Sequence, residues 1–214
     1  MKEMDRNVLS AAFHVTIPVL MGYLAIGMAF GLMMDSAGYN VFWALLMSLI
    51  IYAGAGQYMG VTLLAAGASP LQTALMTLLL NFRHMFYGLS MLEKFRGMGL
   101  RKLYMIFSLT DETYALLASA KAPEGVREKD YYLAIALMDH SYWVLGTVLG
   151  SLLGSALSFD TTGVDFAMTA LFIVIAVGQW KGTRNHLPAA IGCLAPLASL
   201  RLAGEDNMLI LALV

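Results

Sequence analysis

The residues best able to do chemistry in this sequence are ionisable side chains that stand inside long apolar runs. A charged side chain buried in hydrocarbon costs on the order of 3 kcal/mol or more. It therefore persists mainly where it pairs with another charge, binds a ligand or carries a proton. Six side chains occupy such positions: Arg83, His84, Asp111, Glu112, Asp139 and His140.

The first two belong to the segment NFRHMFYG, residues 81–88. Arg83 carries a planar guanidinium that can hold a carboxylate through two parallel hydrogen bonds. Asn81 adds a neutral amide and shares a helix face with His84. We therefore expect Asn81 and Arg83 to be candidates for binding a ligand carboxylate. The alternatives are that Arg83 pairs with a buried acid, or that Arg83 and His84 reach nearby lipid head groups.

The other four ionisable groups form two adjacent pairs. Neighbouring residues of a helix point in different directions, so one partner cannot serve both Asp111 and Glu112. We expect one of them to pair with Arg83 or to take up a proton, because burial disfavours a charged carboxylate. Asp139 and His140 are candidates for a proton relay, since histidine titrates near neutrality. The alternatives are an interfacial helix with the first two acids in water, and an Asp139 that only satisfies a neighbouring helix.

A second kind of candidate is the stretch YAGAGQY, residues 52–58, which interrupts about 47 residues without a charged side chain. Two glycines and an amide add nothing to a helix that only faces lipid. A break in a helix, in contrast, offers unpaired backbone N–H and C=O groups to a ligand. We therefore expect Gly54 and Gly56 to let the backbone approach a ligand, and Gln57 to add a neutral donor and acceptor.

Composition indicates the elements that must position these groups. Of the 214 residues, 59 % are apolar and 13 % are charged, and the mean hydropathy is +0.72. Soluble domains are about 45–50 % apolar, so an integral membrane protein is indicated. The apolar runs do not alternate as barrel strands do. This predicts an all-α, polytopic membrane protein with six or seven transmembrane helices in one domain, residues 1–214.

The distribution of basic residues predicts an orientation. The loop 93–102 contains four basic side chains and one acid, so the positive-inside rule places it in the cytoplasm. If three full spans precede this loop, including 41–66 with its central break, the N-terminus lies outside. The segment 103–120 is apolar but holds two acids, so it is either a further span or a helix that lies between others.

An internal repeat relates the two halves of the chain. The matching positions are separated by about 122–124 residues: Gly22, Gly27 and Gly31 match Gly146, Gly150 and Gly154, and Gly-Gln-Tyr at 56–58 matches Gly-Gln-Trp at 178–180. Each glycine ladder alone indicates only helix packing. The shared order predicts repeat one at about 11–92, a linking segment at 93–130 and repeat two at about 131–205. We expect the copies to be inverted, with paired broken helices that bring Gln179 opposite Gln57.

Motifs for several enzyme classes are missing from the sequence. It has no GxxxxGK[ST], HExxH or GxSxG segment, and no cluster of cysteine and histidine suited to a metal. No basic run suggests nucleic acid as a partner. We therefore expect neither an enzyme nor a cofactor or metal site.

The segments FGLMMDSAG, IIYAGAGQYMG, NFRHMFYG, SLTDETYAL and AMTALFIVIAVGQW together resemble the AzlC family of branched-chain amino acid permeases, over about residues 11–205. The resemblance implies a multi-pass exporter of neutral amino acids in the bacterial inner membrane. Its substrates would be valine, leucine and isoleucine, with methionine as a further candidate. The resemblance also implies a small AzlD-type membrane subunit as partner, and export that draws on an ion gradient.

Two other functions also fit the residues. One is a channel-like or carrier pathway for another small solute, built on the same broken helices. The other is a non-transporting membrane scaffold, which would tolerate neutral replacements of Arg83, Asp111 and Asp139. An amino acid carrier would instead use broken helices, the two glutamines and Arg83 to bind a zwitterion.

Overall fold

The computed structural model describes residues 6–156 and 186–213, together with Phe166, Ile173, Val177, Trp180 and Lys181. The chain divides into two compact units, residues 1–165 and residues 166–214. Every regular element within the described residues is a helix, which confirms the all-α prediction. The helices are α1 Arg6–Ser36, α2 Val41–Ile50, α3 Gly54–Ala65, α4 Pro70–Ser90, α5 Arg101–Phe107, α6 Asp111–Ser119, α7 Glu128–Ala156 and α8 Leu187–Leu213.

Two long helices, α1 and α7, form the centre of the first unit. They contain 31 and 29 residues, which corresponds to lengths of about 46 and 43 Å. Within the described residues, these two are the helices both long and apolar enough to cross a membrane. Glycines let them pack backbone to backbone. A Cβ added at Gly31 would lie 2.2 Å from the carbonyl oxygen of Thr147, and one at Gly150 would lie 2.1 Å from that of Met28.

The contacts between α1 and α7 also fix their relative direction. The Thr16 hydroxyl, about a third of the way along α1, lies 3.1 Å from that of Tyr142 at the midpoint of α7. Later in both helices, Gly31 faces Thr147 and Gly154 faces Asp35. Because the contact positions advance together, α1 and α7 run in the same direction.

The helices α2 and α3 form a helical hairpin, hairpin one, in place of a single interrupted span. In the connection between them, Tyr52 has a φ of 43°, a left-handed conformation that is uncommon outside glycine. Met47 Cε lies 3.4 Å from the position of a Cβ on Gly60, and the Gln57 amide donates to the Ser48 hydroxyl at 3.1 Å. In a straight helix these pairs would be about 20 and 14 Å apart along the axis, so the chain reverses.

The helices α5 and α6 form hairpin two, which lies along α7. At the start of α5, Arg101 donates to the Asp130 carboxylate at 2.8 Å, in the first turn of α7. At the start of α6, Thr113 donates to Asp139 at 2.9 Å, near the middle of α7. At the end of α6, the Tyr132 hydroxyl donates to the carbonyl of the C-cap residue at 3.3 Å. Hairpin two therefore runs from the start of α7 to about the middle of α7 and then returns to the same end.

The helix α4 connects the two hairpins. Its Asn81 side chain lies 3.6 Å from the position of a Cβ on Gly56, near the tip of hairpin one. One and a half turns later, Tyr87 donates to the Asp111 carboxylate at 2.8 Å, at the start of α6. Beyond the end of α4, the Lys94 ammonium donates to backbone carbonyls at the end of α6. α4 therefore runs the full length of the unit.

The two ends of the first unit differ in charge. We call the end formed by loops 91–100 and 120–127 the basic end; it contains most of the lysine and arginine of this unit. The opposite end is formed by the turns 37–40 and 66–69. Hairpin one enters from the opposite end, and hairpin two enters from the basic end.

The structure does not support two expectations about topology, for one physical reason. The segment 41–66 was counted as a full span, but it turns back on itself. Of the helices that follow α1 and precede α7 in the chain, only α4 therefore runs the full length of the unit. The glycine-rich helices α1 and α7 are consequently parallel, whereas inverted copies were expected. The start of α1 also lies at the basic end, so a cytoplasmic basic loop places it on the cytoplasmic side. This reverses the expected external N-terminus.

A hydrophobic cluster fills the basic end and fixes the start of α1 there. Its buried members come from α1, the loop after α4, hairpin two and α7: Val8, Ala12, Met91, Phe95, Met98, Met105, Leu109, Leu117, Ala120, Tyr131, Tyr132, Ala134, Ile135 and Ala136. In the second unit, α8 contains Pro196 and a non-helical Gly204 with φ of 71°.

Candidate functional site

The tips of the two hairpins meet near the midpoint of α7. Tyr52, at the tip of hairpin one, stacks on His140 with ring centroids 4.1 Å apart. Its ring lies 6.2 Å from that of Phe107, next to the tip of hairpin two. The break predicted at residues 52–58 therefore lies deep in the first unit, beside ionisable residues that the sequence also singled out.

His140 joins the two hairpins through its two ring nitrogens. Nε2 lies 3.1 Å from the Ser48 carbonyl oxygen on α2, and Nδ1 lies 3.1 Å from the Tyr104 hydroxyl on α5. A carbonyl only accepts, so Nε2 carries the hydrogen and Nδ1 accepts from the tyrosine. This neutral tautomer satisfies the ring completely.

Gln57 is fully buried and connects hairpin one to α7. Its carbonyl oxygen accepts from the indole N–H of Trp143 at 2.9 Å, and its amide donates to Ser48 at 3.1 Å. Ser48 in turn donates to Thr147 at 3.0 Å. The geometry therefore gives Gln57 a positioning task, in addition to the ligand contact expected from the sequence.

The first turn of α3 is an open helix N-terminus. Its N-cap, Ala53, has no side-chain hydrogen bond to the backbone N–H groups. A Cβ on Gly54 would lie 3.3 Å from the Trp143 ring, and one on Gly56 would lie 3.6 Å from the Asn81 amide. The glycines thus allow close packing at the tip, and they bring Asn81 next to the free N–H groups.

A row of polar side chains links the buried Asp139 to the half-buried Glu112 across α6, α1 and α7. Asp139 accepts from the Thr113 hydroxyl at 2.9 Å, and Thr113 lies 3.1 Å from the Thr110 hydroxyl. The Thr110 hydroxyl lies 2.6 Å from that of Tyr23, which lies 2.9 Å from a Glu112 oxygen. The other oxygen of Asp139, Oδ1, is buried and has no hydrogen-bond partner within the described residues.

Arg83 and Asp111 form an ion pair at 3.0 Å, with side-chain exposures of 35 % and 22 %. The Tyr87 hydroxyl donates to the other oxygen of Asp111. This agrees with the expectation that one of the two adjacent acids pairs with Arg83. His84 lies on the same helix and packs edge-on against Tyr87, with ring centroids 5.4 Å apart.

Sequence reasoning missed the hydroxyl groups of Tyr23, Thr110 and Thr113. Thr110 directly precedes two acids, a pattern typical of a helix N-cap, and it does cap α6. No local signal indicates Tyr23, because its partners lie 87 and 89 residues away in the chain.

Gln179, the predicted counterpart of Gln57, lies outside the described residues, as does its neighbour Gly178. The second broken helix therefore stays a prediction. Within the described residues, no group of three or more metal-ligating side chains lies together.

Comparisons with known proteins place the chain in a family. The family model described as AzlC protein matches residues 18–157. An uncharacterized membrane protein of Helicobacter pylori is 47 % identical over 203 residues, 95 % of this chain and 89 % of the relative. The branched-chain amino acid transport protein AzlC of Bacillus subtilis is 39 % identical over 204 residues, 95 % of this chain and 80 % of its own length. The inner membrane protein YgaZ of Escherichia coli is 33 % identical over 190 residues, 84 % and 77 % of the two chains.

No solved structure matches the chain. The family match covers most of α1, all of α2 to α6 and α7, which are the elements that build the site. With the relatives aligned over most of the chain, these findings confirm the resemblance seen in the sequence motifs: this chain belongs to the AzlC family of membrane proteins.

Proposed function

We propose that this protein is a secondary transporter that exports branched-chain and similar neutral amino acids across the bacterial inner membrane. In this proposal it is a multi-pass subunit that works with a small AzlD-type membrane partner. The Bacillus subtilis relative is named for branched-chain amino acid transport, and the Escherichia coli relative is named an inner membrane protein. These names support the substrate class and the location, whereas the direction and the partner come from the family resemblance.

The observation that carries the proposal is the meeting of two hairpins, entered from opposite ends, at a buried polar site. Transporters commonly bind substrate where broken helices meet near the middle of the membrane. Withdrawal of hairpin one would open the site toward the opposite end, and withdrawal of hairpin two would open it toward the basic end. Alternating withdrawal would move a small solute without forming a continuous pore.

The groups around the tips suit a zwitterion. The uncapped N-terminus of α3, with Asn81 beside it and Gly54 and Gly56 in its first turn, suits the carboxylate. Arg83 is a second carboxylate ligand in this proposal. The free oxygen of Asp139 and the C-terminal end of α2 suit the ammonium group.

The aliphatic side chain of the substrate would be selected by an apolar pocket. Such a pocket discriminates by only about 1–3 kcal/mol per methylene. Valine, leucine, isoleucine and methionine should therefore compete with one another. Gln179 remains the predicted neutral donor and acceptor that the second half of the chain contributes to binding the zwitterion.

An efflux experiment tests direction and partner together. Cells fed a valine-containing dipeptide release valine internally, and they should accumulate less of it when they express this chain with an AzlD-like partner. Equal internal valine with and without the chain would contradict export. A chain that lowers internal valine by itself would contradict only the need for a partner.

Counterflow into proteoliposomes separates a carrier from the alternatives. A carrier takes up labelled valine faster when unlabelled valine is present inside the vesicle. Uptake without this acceleration would favour a channel-like pathway, and no uptake of any tested solute would favour a scaffold.

A further inference from the structure

Five side chains at the site form a continuous chain of hydrogen bonds that ends in a carboxyl group on each side. The contacts run from Asp139 Oδ2 to Thr113 at 2.9 Å, to Thr110 at 3.1 Å, to Tyr23 at 2.6 Å, and to Glu112 Oε2 at 2.9 Å. All but Glu112 are buried, with exposures of 6 % or less. The chain therefore makes its contacts inside the protein.

The number of hydrogen atoms available decides the charge of this chain. Each of its four oxygen-to-oxygen contacts needs one hydrogen, since otherwise two lone pairs face each other at close range. The hydroxyl groups of Tyr23, Thr110 and Thr113 supply one hydrogen each, and an ionised carboxylate supplies none. The fourth hydrogen must come from a carboxylic acid at one end of the chain.

We propose that Glu112 and Asp139 share a single proton, which passes between them through the three hydroxyl groups. When Glu112 holds the proton, every O–H in the chain points toward Asp139. When Asp139 holds it, every O–H points toward Glu112. In the transfer each hydroxyl gives its hydrogen to one neighbour and receives another, so one carboxyl loses a proton and the other gains one.

This inference deepens the proposed function and rests on it in one respect. If the protein is a transporter, the shared proton makes H⁺ the coupling ion, with one proton held between the two acids. The free oxygen of Asp139 then faces a site that carries one negative charge in total.

The other titratable groups around the chain do not supply the fourth hydrogen. Asp111, next in sequence to Glu112, pairs with Arg83 of α4. His140 of α7 has both ring nitrogens engaged elsewhere. Tyr52 of hairpin one and Tyr104 of α5 are the remaining groups. If either phenol donated to a member of the chain, its hydrogen would be used in that additional contact. The four contacts of the chain would therefore still need a fourth hydrogen.

Infrared difference spectroscopy of the purified protein at neutral pH tests the shared proton. The carbonyl stretch of a protonated carboxyl group is distinct from the bands of a carboxylate. The wild type should show one such signal, and Glu112→Gln should remove it because the amide N–H supplies the fourth hydrogen. Asp139→Asn should remove the same signal for the same reason. Either amide keeps the chain of hydrogen bonds complete, so both variants should fold.

A carboxyl group that is protonated by itself gives a different result. Only its own substitution would then remove the signal, and that outcome overturns the shared proton. Loss of the signal in neither variant, or no protonated carboxyl in the wild type, also overturns it. The spectra do not depend on transport. If the protein does not carry valine, the proposed function is contradicted, whereas the spectroscopic result on the shared proton still stands.

Tyr23→Phe tests the route through the hydroxyl groups. Without the phenol, only the contacts of Thr113 with Asp139 and with Thr110 remain, and the two threonine hydroxyl groups supply both hydrogens. No carboxyl group then has to be protonated, so Tyr23→Phe alone should remove the infrared signal. Tyr142→Phe is the matched control, because Tyr142 is also a buried tyrosine whose hydroxyl meets a threonine, at 3.1 Å. In the control background Asp139→Asn should still remove the signal. A signal that persists in Tyr23→Phe would overturn the route.

The same pair of variants has a transport readout. Tyr23→Phe should lose the acceleration of valine transport by a pH gradient, whereas Tyr142→Phe should keep it. Acceleration by the gradient in Tyr23→Phe would also count against the hydroxyl route.

Discussion

At the residue scale, the ion pair between Arg83 and Asp111 combines two tasks that substitution can separate. The guanidinium balances a carboxylate that also accepts from Tyr87. In the proposed function it also binds the substrate carboxylate. Removal of the arginine alone affects both tasks, so a single variant cannot tell them apart.

Arg83→Gln should lower both stability and valine export. The change leaves Asp111 without its cation, at a cost on the order of 1–3 kcal/mol. The double variant Arg83→Gln with Asp111→Asn removes both charges, so it should restore the amount of folded protein in the membrane. Export should stay lost in the double variant. Quantitative membrane blots and dipeptide-fed efflux measure the two effects, and restored export would show that Arg83 is only a structural partner.

Gln57→Ala should destabilise the protein and abolish export. It leaves the indole N–H of Trp143 without its acceptor and Ser48 without its donor, and each buried unpaired group costs on the order of 1–3 kcal/mol. Gln72→Ala is the matched control, since that glutamine is exposed on α4. Thermal unfolding in detergent should show a lower midpoint for Gln57→Ala alone. Equal midpoints would show that these contacts contribute little.

Sequence reasoning located the charged residues of the site better than the neutral ones. A charge inside an apolar run is visible without any structure, and the site includes Asp139, His140 and the Arg83–Asp111 pair. Tyr23 and Thr113 look like ordinary membrane residues in the sequence. Their importance appears only when folding brings together segments separated by 26 to 89 positions.

At the scale of elements, the contact of α1 with α7 depends on the absence of a side chain at a few positions. At Gly31 even a methyl group would overlap the backbone of α7, whereas at Gly22 it would meet nothing within 4 Å. The same type of residue is thus essential at one position and replaceable at another.

Gly31→Ala should therefore destabilise the protein by about 1–3 kcal/mol through overpacking. Gly22→Ala should be neutral or slightly stabilising, because alanine favours a helix by up to about 1 kcal/mol over glycine. Unfolding midpoints of the two variants in the same detergent make the comparison. A Gly31→Ala protein as stable as Gly22→Ala would contradict the close backbone contact.

The hairpins show how much of the topology a local sequence pattern can predict. The stretch YAGAGQY indicated a break in the helix, and the structure has one between Ile50 and Gly54. An apolar run with a central glycine-rich break suits both a kinked span and a hairpin. The contact of Met47 with Gly60 decides between them, and the local sequence does not encode which neighbours the second half will meet.

At the scale of the whole molecule, cysteine labelling tests the topology of the first unit. In a Cys193→Ser background, Ala37→Cys and Ala66→Cys should both react with an impermeant reagent added outside. Arg96→Cys and Glu124→Cys should react only after the membrane is opened. This outcome is expected because the positive-inside rule predicts that the basic end is cytoplasmic. Labelling of positions 37 and 66 from different sides would show that the intervening segment crosses the membrane and would contradict hairpin one.

The sequence pattern predicts a repeat, but the pattern does not indicate whether the two copies are parallel or inverted. Counting spans gave inverted copies, because a hairpin and a span of the same apolar length look alike in composition. Of the glycines in this pattern, Gly27 lies against Gly146 and Gly31 against Gly150 across α1 and α7, whereas Gly22 has no neighbour within 4 Å. The match between Gln57 and Gln179 stays a prediction.

The imidazole of His140, which contacts both hairpins, has a consequence for the leakage of ions through the proposed transporter. A conformation with one hairpin withdrawn still leaves one ring nitrogen bonded, to Ser48 or to Tyr104. A conformation with both hairpins withdrawn loses both of these hydrogen bonds, each of which contributes about 0.5–1.5 kcal/mol net of the water that replaces it. In the proposed transporter, the conformation open to both sides, which would let ions leak, is therefore disfavoured by the loss of both His140 contacts.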